Sequence, residues 1–346
     1  MISPSLVRRK LLNWYRSNKR PLPWRQTSDS YAIWLSEIML QQTTVETVIP
    51  YYEKFLSRFP TLQSVAAAQI DELLLLWQGL GYYNRIHQFR KAAQMVVEEY
   101  NGVIPQTKEE LMRLPGLGPY IAGAVASIAF GQPVAAVDGN IIRVLSRLFH
   151  FTEDAFTTQA KKYFEEKASS LVDPAYPGDF NQALMDLGSS VCIPSKPSCP
   201  ICPLKTLCLA YTEGKPEALP VKTKKIIYRK EKWFCFLYAK DQKFWLRRRE
   251  NKEIMEGLWE FPMTHQNNTS QKVQGEPAAQ RAKSLKPVTH TIMNRRMTVY
   301  PFLTDGKKPD DPGNGKWILR EQLLKLPLTT ITRKILRQWN HLPNNK

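Results

Sequence analysis

Residues 114–143 read LPGLGPYIAGAVASIAFGQPVAAVDGNIIR, and the rest of the chain is best understood outward from them. The stretch opens on Leu114-Pro115-Gly116-Leu117-Gly118-Pro119, a turn with two glycines one residue apart. Glycine tolerates positive φ and lets the backbone approach a ligand closely. An apolar, alanine-rich helix is expected from about Tyr120 to Phe130. Before the turn, Thr107 and Glu110 have the spacing of a capping box for a short helix ending near Leu114. The turn therefore joins two helices, and N–H groups at Gly116, Gly118 and the second helix's start can cradle a phosphate. Downstream, the apolar run Pro133–Val137 ends at a lone carboxylate, Asp138, followed by Gly139-Asn140. Asp at a helix start is an ordinary cap. It is also where a carboxylate would face the sugar of a strand held by that phosphate grip.

Composition narrows the partners. The 346 residues suffice for two or three domains, and 43% hydrophobic residues with 9 Trp suit a globular chain with real cores. Lys and Arg number 49 against 31 Asp and Glu, a net +18 that favours a polyanionic partner. Residues 1–212 hold 21 basic and 18 acidic side chains, and residues 213–346 hold 28 and 13. The excess thus lies away from the hairpin. The N-terminal MISPSLVRRKLLNWYRS lacks the apolar core of a signal peptide, and no run approaches a membrane-spanning length. A cytoplasmic or nucleoid-associated protein, without a membrane and monomeric, is expected. Five cysteines in so long a chain do not suggest a disulfide scaffold.

Along the chain, Ser3-Pro4 opens a helix with an apolar stripe at Leu6, Leu11, Leu12 and Trp14. Arg20–Arg25 is a stiff connector. Tyr31–Gln42 reads as a helix packed on most sides, and Thr43 with Glu46 as a capping box for a helix towards Phe59 containing Pro50. Helices are expected at 71–78, 85–100, 139–149, 158–172 and 179–190, and no alternating strand pattern before residue 230. Residues 213–232 form a basic linker rich in Lys, Pro and Glu. Strands follow at 233–239, 244–249, 258–262, 297–304 and 316–319, with helical turns at 320–326 and 332–339 and a polar stretch at 265–284. The expected organisation is a mainly α domain at 1–212 and a small α+β domain at 233–346.

Two constellations carry chemistry. Cys192, Cys199, Cys202 and Cys208 have the spacing C-x6-C-x2-C-x5-C, which suits four-thiolate binding of zinc or of an iron–sulfur cluster. Spacing alone leaves both open. Cys235 lies outside the set and reads as a buried strand residue. Glu37 sits on a helix with Ile33, Trp34 and Leu40 around it. A carboxyl in apolar surroundings has a raised pKa and can hold a proton near neutrality, as a general acid must.

The hairpin, the Gly/Pro-rich run into Asp138, the segment WLSEIMLQQT (34–43) and the cysteine run together resemble the helix–hairpin–helix, endonuclease III-like glycosylase superfamily. Within it the chain is similar to the MutY family of adenine DNA glycosylases, strongly over the first 210 or so residues and weakly beyond. The resemblance implies a glycosylase domain closed by a [4Fe-4S] module at 192–208, and a C-terminal Nudix-like domain that recognises the lesion. It implies hydrolysis of the N-glycosidic bond of adenine mispaired with 8-oxoguanine, or with guanine, in double-stranded DNA. Glu37 would protonate N7 of adenine and Asp138 would stay ionised beside the cationic sugar. Tyr120 stands where strand-cutting relatives carry Lys, which implies a monofunctional enzyme; Tyr120 would hydrogen-bond near Asp138 and Asn140 would orient it. Trp24, Arg25, Leu40 and Gln182 match adenine-pocket residues. Gln42, with Thr43 beside it, and Tyr82 match residues that wedge beside 8-oxoguanine, and Gly116 and Gly118 match the phosphate grip.

The tail lacks the pyrophosphate-hydrolysing Nudix signature, so recognition rather than hydrolysis is expected of it. The family's Phe-Ser-His loop matches Val288-Thr289-His290 with its aromatic lost, so Thr289 and His290 are the expected reader. The family's Gly-Gly-Leu-Trp is Glu256-Gly257-Leu258-Trp259, and Asn84-Arg85-Ile86-His87 departs from the common alanine–arginine pattern. These departures bear on discrimination more than on the reaction. Rival readings are a glycosylase for another base, such as thymine in a G·T pair, and a non-catalytic cluster-bearing DNA-binding protein. Glu37 weighs against the first, since thymine has no N7, and its pairing with Asp138 weighs against the second.

Overall fold

A computed structural model describes residues 2–223, 227–251, 253–266, 283–305 and 314–338. Most of the polar stretch expected at 265–284, and Trp339, lie outside the described residues. The chain divides into two compact units: residues 1–67 with 88–225, and residues 68–87 with 226–346.

Among the described residues, every helix-or-strand element of the first unit is a helix. Its helices are α1 (Pro4–Asn18), α2 (Ser30–Leu40), α3 (Val45–Arg58) and α4 (Leu62–Ala67). The intervening α5 (Ile70–Trp77) belongs to the second unit, and α6 (Asn84–Glu99) runs across the division. Then come α7 (Lys108–Leu111), α8 (Pro119–Phe130), α9 (Gly139–Leu148), α10 (Thr158–Leu171), α11 (Pro177–Ser190) and α12 (Leu209–Thr212). One core packs Leu11 and Tyr15 of α1 against Leu145, Phe164, Phe180 and Leu184. A second aromatic cluster centres on Phe89, which meets Trp34 edge-on at 5.0 Å and stacks on Tyr31. Helix α2 is buried from Tyr31 to Met39, in line with a mostly apolar sequence, and carries Ser36 and Glu37 into the interior with it.

Caps explain several boundaries, and two depart from expectation. The Thr107 side chain accepts from the Glu110 N–H, as the box predicts. Helix α2 stops at Leu40 instead of Gln42, because Gln42 takes a left-handed φ of 62°. The next helix is capped by extended Thr44, not Thr43, and that side chain makes no capping bond; its hydroxyl meets Thr47 at 3.1 Å. Pro50 is contained within α3.

Among the described residues, the second unit carries an eight-stranded sheet. Strand β1 (Arg229–Lys240) lies parallel to β7 (Arg295–Asp305), with Arg229 opposite Arg295. On its other side β1 meets β2 (Lys243–Arg248) through the tight turn Asp241-Gln242, both residues at positive φ. Shorter strands are β3 (Trp259–Glu260), β4 (Met263–His265), β5 (Lys283–Ser284), β6 (Val288–Ile292) and β8 (Gly315–Leu319). Helix α13 (Thr330–Gln338) packs its Ile331, Ile335 and Leu336 into a core with Leu237, Phe244, Leu246, Phe261 and Val299.

Strand β1 begins four residues before the expected Trp233, since ladder pairing with β7 extends the strand through the polar Arg229–Lys232. The start of the expected linker is also anchored: Val221 bridges to Asp154, whose carboxylate accepts from Thr223. The expected strand at 258–262 contracts to Trp259–Glu260.

Candidate active site

A cavity of about 360 Å³ opens in the helical unit. Six pieces of chain build it: residues 20–25, helix α2, residues 43–46 at the start of α3, helix α8, the start of α9 with its cap Asp138, and α11. It collects Trp24, Arg25, Glu37, Leu40, Thr43, Tyr120, Asp138, Asn140 and Gln182, nine of the expected site residues drawn from across 159 positions of sequence, 24 to 182. Trp24 is also a core residue, 6% exposed and edge-on to Tyr52 at 5.3 Å. Packing and lining are both its roles.

Glu37 is 5% exposed and has no ion-pair partner among the described residues. Burial pushes its carboxyl up to about 7, and the nearby Asp138 charge adds to the rise. Opposing it, the Tyr120 hydroxyl donates to Oε2 at 2.7 Å, and Arg25 attracts from farther off. Tyr120 therefore bonds Glu37, not Asp138 as expected. Its own phenol is held well above its usual range by burial and the two carboxyls, so it stays a donor.

Asp138 is both a helix cap and a site residue. Its Oδ1 accepts the Ile141 N–H at 2.7 Å, and its Oδ2 accepts from Asn140 Nδ2 at 2.8 Å. These bonds and Arg143 favour the charged form, yet burial outweighs them and raises the carboxyl above its ordinary value. Burial raises both acids, and only Asp138 has a set of bonds that resists.

The backbone that presents Asp138 is locked from behind. Asn181, buried on α11, donates to Val134 O and Ser127 Oγ at 2.9 Å and accepts from Ala136 N. A Cβ on Gly123 would lie 2.3 Å from Ala135 O, and one on Gly188 would lie 2.7 Å from Asn140 Cβ. Arg143 donates to Asn140 Oδ1, Gly188 O and Cys192 O. Asn181, Gly188 and Arg143 escaped the sequence reading because their importance lies in partners far along the chain.

Asp186 escaped it too. It is 3% exposed and accepts both terminal nitrogens of Arg25, at 2.7 and 3.0 Å, and Arg20 at 2.5 Å. A bidentate guanidinium pair fixes orientation as well as charge, so Arg25 is held rigidly at the cavity wall. The position of Asp186 four residues after Gln182 on one helix was the available signal.

At the hairpin, Gly116 adopts φ 81°, and a Cβ there would sit 2.6 Å from Gln88 Cβ. Gly118 differs from expectation: it caps α8 at φ −80° with open space where a Cβ would be. Nothing in the chain itself demands glycine there. The first turn of α8 leaves its N–H groups directed out of the helix end.

The four cysteines are half-buried on one short run. Burial raises Cys199, Cys202 and Cys208, with mutual thiolate repulsion adding to it. Arg147, 1% exposed, donates to Cys192 Sγ at 3.3 Å and to the carbonyls of Cys192, Ile193, Pro194 and Leu219. Among the described residues no three Cys, His, Asp or Glu side chains close around a single metal ion. The donor set itself, four soft sulfurs with a buried cation beside them, fits a polynuclear thiolate-bound group. Cys235 is buried in β1.

Gln42 is exposed at the end of α2. Tyr82, Thr289 and His290 belong to the second unit. Tyr82 is 53% exposed at φ 47°. Thr289 and His290 lie on strand β6, paired with Thr298 and Met297, not in a loop; the exchange of backbone bonds with β7 absorbs what the resemblance assigns to a loop. Burial and Lys334 lower the His290 pKa.

The chain matches the model of the HhH-GPD superfamily base excision DNA repair proteins over residues 35–174 and that of the NUDIX domain over residues 233–338. It is 35% identical to the adenine DNA glycosylase of Homo sapiens, over 95% of this chain and 73% of that protein. The solved structure of a thermostable thymine-DNA glycosylase superposes with a TM-score of 0.56 at 31% identity, over 61% of this chain and 97% of that one. A non-covalent endonuclease III–DNA complex shares the fold, with a TM-score of 0.51 at 24% identity over 62% of this chain and 99% of its own. Among the described residues no helix is long and apolar enough to cross a membrane.

Proposed function

The chain belongs to the adenine DNA glycosylase family, and on that premise we propose that it removes adenine mispaired with 8-oxoguanine or guanine from duplex DNA by hydrolysis alone. The observation that carries this is the pairing of Glu37 with Asp138 in one cavity, the first without an ion-pair partner and the second bound by donors.

Glu37 enters the reaction protonated. Tyr120 occupies Oε2, which leaves Oε1 to carry the proton to N7 of adenine. The electron pair of the C1′–N9 bond then departs with a neutral base. Asp138 faces the cationic sugar, and the bonds from Ile141 and Asn140 hold its charge in place. Water adds at C1′ and loses its proton to Asp138 or to solvent. This is the division of labour between two carboxyls familiar from sugar hydrolysis. Trp24, Leu40 and Gln182 line the space for the base, and Arg25 is held there by Asp186.

Backbone N–H groups at Gly116, Gly118 and the start of α8 bind a phosphate of the strand. Open space at Gly118 is what close backbone approach to a phosphate requires. Gln42, Thr43 and Tyr82 contact the duplex, and Thr289 and His290 read the base opposite adenine. Cys192, Cys199, Cys202 and Cys208 hold a [4Fe-4S] cluster, which when bound crosslinks the 192–208 run. Residues 1–212, 213–232 and 233–346 act as glycosylase domain, linker and recognition domain.

Single-turnover excision on A·8-oxoG, A·G, A·C and T·G duplexes tests the assignment. Adenine release fastest opposite 8-oxoguanine is expected, with product DNA intact until hot alkali and no Schiff base trapped by borohydride, because Tyr120 has no amine. Preferential cleavage of T·G would overturn it. The purified protein should carry about four irons per chain, against stoichiometric zinc as the contrary outcome.

A further inference from the structure

Residues 68–87 lie inside the helical half of the sequence but fold with the C-terminal unit. Four contacts of different chemistry make the attachment. Arg248 of β2 forms an ion pair with Asp71 at the start of α5. Gln78, just past that helix, donates to Leu328 O at 2.7 Å. A ring nitrogen of His87 shares a hydrogen bond with Glu256 O at 3.1 Å. Gly257, at φ 80°, brings its backbone against Leu74 and His87, where a Cβ would lie 2.9 and 3.6 Å away. Around these, Arg248 also donates to Gly257 O, and Leu328 bridges to Trp259.

Between Gln78 and His87 stands the loop that ends in Tyr82. Gly79, Gly81 and Tyr82 all have positive φ, and a non-glycine residue there costs on the order of 1 kcal/mol. The loop is braced internally: Trp77 Nε1 donates to Gly81 O, Tyr83 OH accepts from Gly79 N, and the Arg85 guanidinium lies over the Tyr82 ring at 5.2 Å. A strained, exposed aromatic persists only where its surroundings over-determine it. Both ends of this loop are tied to the C-terminal unit.

We propose that the C-terminal unit docks this loop and so sets the position of Tyr82, with Asp71, Gln78 and His87 as the positioning residues and Arg248, Glu256 and Leu328 as their receptors. Discrimination of the opposite base then depends on the C-terminal unit twice, through its own Thr289 and His290 and through the placement of Tyr82. This rests on the reading of Tyr82 as a residue that meets the duplex.

The test uses the full chain with Asp71→Arg, Arg248→Asp, the double reversal, His87→Ala and His87→Gln. The ion pair is partly exposed, with side chains 34% and 42% accessible, so its reversal leaves folding intact. Amide exchange over residues 79–83 in the free protein is read beside the ratio of adenine excision opposite 8-oxoguanine and opposite guanine. Each single reversal should speed exchange and lower the ratio by about tenfold. The double should recover a large part of both, and Gln at 87, which keeps a donor in place, should do better than Ala. Unchanged exchange in both single reversals, or a double no better than either, overturns the docking. Faster exchange with an unchanged ratio supports the docking and removes Tyr82 from the reading of the opposite base.

Discussion

Two buried glutamates, one in each unit, show how one residue type is turned to opposite ends. Glu37, in the helical unit, has a phenol and apolar side chains around it and no guanidinium bonded to it. Glu260, in the sheet unit, is 0% exposed and clamped at 2.5 Å by Arg247 on one oxygen and Arg249 on the other. Burial without an ion-pair partner lets a carboxyl hold its proton; burial between two guanidiniums makes a clamp across strands β2 and β3. The helical unit contains the second arrangement as well, in Asp186 between Arg20 and Arg25. The fold was therefore able to pair Glu37 and instead gave it a hydroxyl. That difference is what supports the proposed role of Glu37 as the acid.

The largest expected effect separates the two residues outright. Glu37→Gln and Asp138→Asn should each slow single-turnover excision at least about a thousandfold, roughly 4 kcal/mol, with DNA binding largely kept because phosphate contacts dominate affinity. Glu260→Gln should leave the excision rate near wild type and instead cost about 3 kcal/mol in a denaturant titration, by leaving arginines without their partner. If Glu260→Gln is as slow as Glu37→Gln at full occupancy, the comparison breaks.

A pH profile sharpens it. In the proposed mechanism Glu37 acts protonated, and burial pushes its carboxyl up to about 7, so the rate should fall about tenfold per unit well above that pH and level off below it. The acid limb should follow Asp138, whose raised pKa places it above the ordinary aspartate range.

Stability should fall with rising pH as well. Because the folded pKa of Glu37 is raised from 4.5 to about 7, the folded chain keeps a proton that the unfolded chain releases, and its stability drains away as pH rises through that window. Glu37→Gln removes the penalty. By linkage it should stabilise the protein by up to about 3 kcal/mol at pH 8, with no gain near pH 4. An equal gain at both pH values would show that packing, not charge, is responsible.

The smallest expected effect contrasts the two hairpin glycines. Gly116→Ala forces a side chain to φ 81° against Gln88 and should cost more than about 1 kcal/mol. Gly118→Ala should leave stability within about 0.5 kcal/mol and weaken DNA binding. Equal loss of stability in both would place the second glycine's role inside the fold.

Local signals in the sequence carried far. Helix α8 starts at the proline after the Gly116–Gly118 turn, and Thr107 caps α7, because turn and cap chemistry is written in neighbouring residues. The resemblance names nine residues that line one cavity, residues no periodicity would have joined. Neither route found Asp186, Asn181 or Gly188. Each matters through a partner that adjacency cannot reveal, such as the carbonyl of Val134, 47 positions from Asn181. The shift of Val288–His290 from loop to strand has the same origin, since a strand exists only once a second strand supplies its bonds.

The sequence by itself determined the helix–hairpin–helix, the four spaced cysteines, the change from helices to strands near residue 230, and two carboxylates about a hundred positions apart. These follow from caps, periodicity and spacing, which act over a few residues. Tertiary structure alone decided that Tyr120 gives its hydrogen to Glu37 instead of Asp138, that both acids rise with burial, and that residues 68–87 fold with the C-terminal unit. Desolvation and hydrogen-bond partnership are properties of what lies within a few ångströms, and in a folded chain most of those neighbours are distant in sequence.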